Sequence, residues 1–184
     1  MGIDPSVEAI SRGSKLYPDL TLRVGTAGNL EFDDNSRGFI LFGFCLYLVD
    51  RDLLSRVVTE ADRCLKNGGF IGITDFVPDL PTKQQYIHRK DVFTYKFQYE
   101  QMFVAFPHFF MIERQPFSHS ASGFHLDPQE RLATTVIYKN LEMPSSTLGG
   151  AAKETLAGLG AIRGPLCFAC RLRGGRRSFR FHRQ

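Results

Sequence analysis

The chain has 184 residues, of which 43% are apolar and 12% aromatic, with no tryptophan. That composition suits one globular domain with a full core and excludes a fibrous chain. The formal charge of +4 is uneven: Arg163, Arg171, Arg173, Arg176, Arg177, Arg180 and Arg183 all follow the last acidic residue, Glu154, and without these seven the remaining 16 basic side chains face 19 acidic ones.

A nucleic-acid reading of the charge therefore concerns the tail alone. No apolar run approaches the roughly 20 residues of a membrane span, and the N-terminus lacks the basic and apolar regions of a secretory signal. A cytoplasmic protein is expected. Gly2 and Ser6 fit a myristoylation pattern, although Gly2 reads better as a strand residue. The cysteines do not form a disulfide framework: Cys45 lies in an apolar run and Cys64 on a predicted helix, both suited to small buried thiols. Cys167 and Cys170 form a single CxxC, with no second pair to complete a zinc site, and no metal is expected.

In chain order, Ser6 to Gly13 is predicted as a short helix with Val7 and Ile10 facing inward, and Leu20 to Val24 as a strand. The turn-prone run Asp33, Asp34, Asn35, Ser36 separates it from the next element. Phe39 to Val49 is almost continuously apolar, which suits a central parallel strand buried on both faces. From Asp50 to Lys66, Leu53, Leu54, Val57, Val58, Ala61 and Leu65 recur with helical period. Asp50 or Asp52 can cap that helix, and Gly68 can end it in a left-handed conformation. Phe70 to Phe76 reads as a strand. After a long aromatic-rich connection, Phe109 to Phe117 and Arg131 to Tyr138 read as an antiparallel pair. Phe93, Tyr95, Phe97 and Tyr99 alternate with polar residues, as one buried face of an extended segment would. The alternation of strand and helix points to an α/β fold on a largely parallel sheet. Residues 1–140 are expected to form the domain, and 141–184 a Gly/Ser/Arg-rich tail without order of its own.

The stretches GIDPS, YPDLTLRVGTAGNLEF, FGFCLYLVDRDLL and EADRCLKNGGFIGITDF, in this order and spacing, resemble the later motifs of class I S-adenosylmethionine-dependent methyltransferases over about residues 2–140. The resemblance implies a Rossmann-like, mostly parallel sheet with helices on both faces and an antiparallel final strand pair. It implies S-adenosyl-L-methionine as cofactor and a small-molecule methyl acceptor as partner. Asp4, followed by Pro5, matches the acidic residue that accepts hydrogen bonds from the ribose hydroxyls, a task suited to a group that only accepts. Thr26, Ala27 and Leu30 match the adenine loop, where Thr26 replaces the family's usual Asp. Gly43, Phe44 and Cys45 fall where a strand emerges beside the cofactor. Arg37 and Gly38 stand where the family tends to have Phe-Asp, a replacement with no reason visible in the sequence. Tyr86, His88, Tyr95 and Tyr99 lie in the segment that covers the acceptor, with His88 the candidate base where the acceptor must lose a proton. A lone His in an aromatic-rich region is more often a packing or surface residue.

The family's first strand and glycine-rich loop find no counterpart, so a truncated domain is expected, its sheet incomplete and its activity in doubt. The strand on either side of the gap would then expose an unpaired central edge. Self-association or a protein partner could complete the sheet, which makes a non-catalytic interaction protein the alternative function. RNA binding through the arginines and Phe179 and Phe181 is a further alternative, set against a merely solvated tail.

Overall fold

The computed structural model describes residues 1–86, 89, 91–119 and 123–142, and the backbone of 166–170. The chain begins in strand β1 (Gly2–Asp4) and passes at once into helix α1 (Val7–Leu16). Ser6 starts that helix as its sequence suggests: its hydroxyl accepts from the Ala9 amide at 3.1 Å, meeting one of the donors a helix leaves unpaired at its first turn. Gly13 is the residue α1 buries. Val7, expected to face inward, is 68% exposed, because it opens the helix on the solvent side of the cap. Strand β2 (Leu22–Val24) returns parallel to β1.

Strand β3 (Arg37–Gly43) is shorter than the apolar run that encodes it. The run to Val49 does not continue as strand. Phe44 takes a left-handed backbone, φ +51°, and Leu46–Leu48 close a turn of 3-10 helix whose Leu46 and Tyr47 are buried. The same apolarity thus serves two elements, a strand and a buried turn. Helix α2 (Leu54–Cys64) buries Val57, Val58 and Ala61, as its period predicts, together with Cys64, whereas Leu53 precedes the helix and is 45% exposed and Leu65 begins the next strand. Its start differs from expectation, since Leu53 is the cap residue and no side chain caps it. Gly68 is left-handed, φ +78°, but it does not end α2. It lies within strand β4 (Leu65–Phe76), where Arg37 pairs with Leu65 and Phe39 with Phe70. The extra residues form a bulge on the β4 side.

The connection beyond β4 contains a separate hairpin of β5 (Thr82–Gln85) and β6 (Phe93–Lys96), then helix α3 (Glu100–Val104). The alternating aromatics do not mark a buried face of β6: Phe93 is 41% exposed and Thr94 is 7% exposed. Strands β7 (Phe109–Ser118) and β8 (Arg131–Lys139) form the expected antiparallel pair, with β8 antiparallel to β4.

The main sheet has seven strands in the order β2-β1-β9-β3-β4-β8-β7. Strand β9 (Leu166–Cys170) comes from the segment read as tail. It lies parallel to both neighbours, Gly2 opposite Phe168 on one side and Phe39 to Gly43 opposite Leu166 to Cys170 on the other. The slot expected to stand open is therefore filled by the chain itself, and neither β1 nor β3 presents an unpaired central edge. The core lies about β3, β4, β8, α2 and α3, with Ile71, Ile137, Leu65, Phe42 and Leu132 at its centre.

Candidate active site

Five parallel strands direct their carboxyl ends the same way, and β7, two reversals further on, does so too. Asp4, Val24, Gly43, Phe76 and Ser118 close these strands, so the residues that follow them gather along one edge, where open α/β sheets receive ligands. The register places Asp4 level with Cys170 and Cys170 opposite Gly43. Asp4 and Gly43 thus stand two strand spacings apart, about 10 Å, with β9 between them, so a group that touches both lies across the strand ends.

At the β1 end Asp4 is 4% exposed, and its Oδ1 accepts from the Ser6 amide at 2.8 Å. Pro5 beside it is exposed. The Asp4 carbonyl accepts from Gly25 at 3.2 Å, so the loop after β2 is fastened to the strand that carries Asp4. In that loop Thr26 is exposed and Ala27 half-buried, with a bridge between Thr26 and Asn29 closing the turn. Leu30 has a different task from the one its motif suggests. It is 6% exposed, its amide donates to Glu60 at 2.8 Å and its carbonyl accepts from Arg63 at 2.9 Å. Arg63 also donates to the Phe32 carbonyl at 2.7 Å and pairs with Asp34 at 2.7 Å. Helix α2 therefore holds the loop from behind. The Arg63 hydrogen bond, with the Leu30 amide, holds the Glu60 carboxyl below its usual range against the opposing effect of burial. Glu60 in turn holds the Arg63 guanidinium above its own.

At the β3 end, Phe44 is bulky and left-handed, a backbone costing about 1–3 kcal/mol unless its surroundings impose it. They do. The Phe44 amide donates to the Thr74 carbonyl at 2.8 Å, while Asp75 Oδ2 accepts from Leu46 at 3.1 Å and Tyr47 at 3.4 Å. Asp75 Oδ1 accepts from Phe76 at 2.8 Å. Burial nevertheless pushes the Asp75 carboxyl up to about 7, the three amides offsetting only part of the desolvation. Cys45 is half-buried.

Around Phe44 an aromatic cluster forms. His119 stacks on Phe44 with ring centres 6.2 Å apart and meets Phe76 at 5.9 Å. Phe76 packs edge-on against Tyr47 at 5.1 Å, and Lys96 Nζ lies 4.0 Å from the centre of its ring. Tyr99 is 2% exposed and its hydroxyl donates to the Tyr95 carbonyl, with burial pushing the phenol up. It is a packing residue rather than one that reaches solvent. Tyr86 is also buried, whereas Tyr95 is half-exposed beneath Arg51, 5.1 Å from its ring. His88 lies outside the described residues. His119, Lys96 and Asp75 were not singled out by their motifs. The carboxyl-end rule would have found His119, which follows Ser118 at the end of β7.

A separate cleft of about 320 Å³ is lined by Val77, Asp79, Gln98, Arg114, Pro116, Phe124 and Arg131. None of the cofactor candidates borders it, and its guanidiniums are engaged, Arg114 by Glu100 and Arg131 by Asp79. Arg37, unexplained in sequence, lies at the opposite end of β3 with its guanidinium 4.0 Å from the centre of the Phe32 ring. This is a cation–π contact remote from the site. Among the described residues no cluster could hold a metal ion, and no helix is long and apolar enough to cross a membrane.

A family described as "Methyltransferase domain" matches residues 1–73, the stretch that supplies Asp4, the Thr26 loop and Phe44. No curated protein is similar enough to count as a match. Among solved structures, a SAM-dependent methyltransferase from Methanosarcina mazei aligns with a TM-score of 0.61 at 17% identity, covering 77% of this chain and 82% of that one. A didemethyltoxoflavin N1-methyltransferase from Burkholderia thailandensis, solved with 1,6-didemethyltoxoflavin and S-adenosylhomocysteine, aligns with a TM-score of 0.56 at 12% identity, over 75% and 60% of the two chains. The cyclase SpnF aligns at 0.57 and 14% identity, over 77% and 66%, so this fold hosts more than one reaction. Residues 1–73 thus resemble a methyltransferase domain, and the sheet has the fold of S-adenosylmethionine-dependent methyltransferases of known structure.

Proposed function

We propose that the chain binds S-adenosylmethionine along the strand ends from Asp4 to Phe44 and transfers its methyl group to a small organic acceptor. The observation that carries this reading is the juxtaposition of Asp4, the anchored Thr26 loop and Gly43–Phe44 on one edge of the sheet. A carboxylate offers about four lone-pair directions, so it can accept from more than one donor at a time, as binding a ribose diol requires. Glu60 and Arg63 hold Leu30 and so present Thr26 and Ala27 to the adenine. Gly43, Phe44 and Cys45 form the wall at the reacting end. When bound, the cofactor supplies an already activated methyl group, so the protein's task is chiefly alignment and exclusion of water. The strained turn at Phe44, fixed by Asp75, is a rigid wall of the kind that alignment needs.

Calorimetric titration of the full chain with S-adenosylhomocysteine tests the reading. Saturable one-to-one binding is expected, and Asp4→Ala should weaken it about tenfold or more, the loss typical of a hydrogen bond to a charged group. Wild-type chain that takes up no ligand, or an Asp4→Ala variant that binds equally well, would contradict it.

A further inference from the structure

We infer that the cleft between β7 and the segment after β4 is a binding site for a small aryl carboxylate, whose carboxyl pairs with the open edge of Arg114 and whose ring lies against Phe124. None of the cofactor candidates borders this cleft, so the inference stands apart from the cofactor reading.

The volume of about 320 Å³ lies in the range of small-ligand pockets and accommodates one substituted ring. Val77 and Pro116 make part of its wall apolar. Phe124, which also lines it, is 62% exposed, and the Arg131 guanidinium backs its ring at 4.4 Å from the centre. The cation fixes the ring from one side and leaves much of it open to a flat aromatic guest. Arg131 itself has no donor group to spare: Nε donates to the His125 carbonyl at 2.6 Å, Nη2 to the Leu126 carbonyl at 2.8 Å, and Nη1 pairs with Asp79.

Arg114 differs. Its Nη1 is taken by Glu100 Oε1 at 3.2 Å and Gln98 Oε1 at 3.3 Å, while Nε and Nη2 bond to none of the described residues. These two nitrogens form one edge of the planar guanidinium, and their spacing matches the two oxygens of a carboxylate. The edge is partly exposed and already held in place. Glu100 behind it is buried, and Gln98 is tied through its amide nitrogen to the Pro78 carbonyl at 3.1 Å. A donor pair preset in this way loses little freedom when a ligand arrives.

The charges narrow the ligand further. Glu100 and Asp79 balance Arg114 and Arg131, so no net positive field favours a polyanion. A cationic ligand meets only carboxylates that an arginine already pairs. One open two-donor edge beside an aromatic wall suits a single carboxylate on a ring.

The probe is 4-fluorobenzoate, with 4-fluorobenzamide as its uncharged twin, each titrated into the full chain and followed by fluorine NMR. The carboxylate is expected to bind saturably and about tenfold or more tighter than the amide. Arg114→Lys keeps a cation beside Glu100 but removes the two-donor edge, and should weaken binding about tenfold. Phe124→Ala, at an exposed position, should weaken it several-fold. No saturable binding of 4-fluorobenzoate, equal affinity for the amide, or full affinity in either variant would overturn the inference. The comparison of the two probes needs no variant, so it reads the site even where a substitution disturbs folding.

Discussion

Asp75 shows how one buried side chain can shape both a site and the stability of the whole chain. It is 2% exposed and fastens the turn that forces Phe44 into its left-handed backbone. Its carboxyl is raised to about 7, so the folded chain keeps this proton to higher pH than the unfolded chain does. The resulting contribution to stability is complete below about pH 4, declines as the pH rises through 7 and is absent above it. Chemical denaturation from pH 4 to 8 should show this decline, a few kcal/mol at most at about 1.4 kcal/mol per unit, and Asp75→Asn should remove it. A wild-type stability that rises across the same interval would contradict the assignment. Glu60 acts in the opposite sense. Its carboxyl is lowered chiefly by Arg63, so its contribution is lost at the acid end, below the Asp75 window. Among residues, Asp4 was legible because the GIDPS motif sets an acid at a strand end, and the structure buries it there. The place of His119 was not, because it comes from stacking on Phe44, 75 positions away in sequence.

Among the elements, α2 is the most legible, since its apolar period predicts the burial of Val57, Val58 and Ala61. Its polar residues were less transparent. Glu60 and Arg63 lie off its apolar stripe, yet they grip Leu30, Phe32 and Asp34. Arg63→Ala should therefore speed amide exchange at Leu30 and Asn35, whose amides donate to Glu60 and to the Arg63 carbonyl. It should also weaken S-adenosylhomocysteine binding several-fold, while exchange in the core of β4 stays slow. Faster exchange everywhere would mean that Arg63 supports the fold at large rather than this loop. The apolar run through Val49 was misread as one strand because periodicity cannot distinguish a buried strand from a strand followed by a buried turn. Strand β9 was hidden for a related reason: LCFAC is a short apolar stretch among glycines and arginines, and only its pairing with Gly2 and Phe39–Gly43 reveals it. Phe168→Pro removes an amide from the centre of the ladder. It should cost about 1–3 kcal/mol through the acceptor left unpaired and should raise exchange at Ile40 and Phe42. Unchanged stability would show that β9 does not support the sheet.

For the whole molecule, the parallel sheet, the helix between β3 and β4 and the antiparallel closing pair all follow from alternating patterns in the sequence. The order of the strands does not, because the central position is taken by a segment over 120 residues beyond β3. Local propensity carries no record of so distant a pairing. That order nevertheless determines the site, since β9 spaces Asp4 from Gly43 and keeps both at one edge. The opposite edge holds Arg37, His108 and the buried Lys139, whose Nζ is bound to the carbonyls of Asp62 and Leu65 at 2.7 and 3.0 Å. These contacts tie β8 to α2 and β4 and take no part in the proposed chemistry. Hydrogen exchange of the full chain with and without S-adenosylhomocysteine tests the central claim most directly. Protection should concentrate at residues 3–6, 24–30 and 43–47, with residues 108–111 unchanged; protection confined to the Lys139 edge, or none at saturating ligand, would contradict the account.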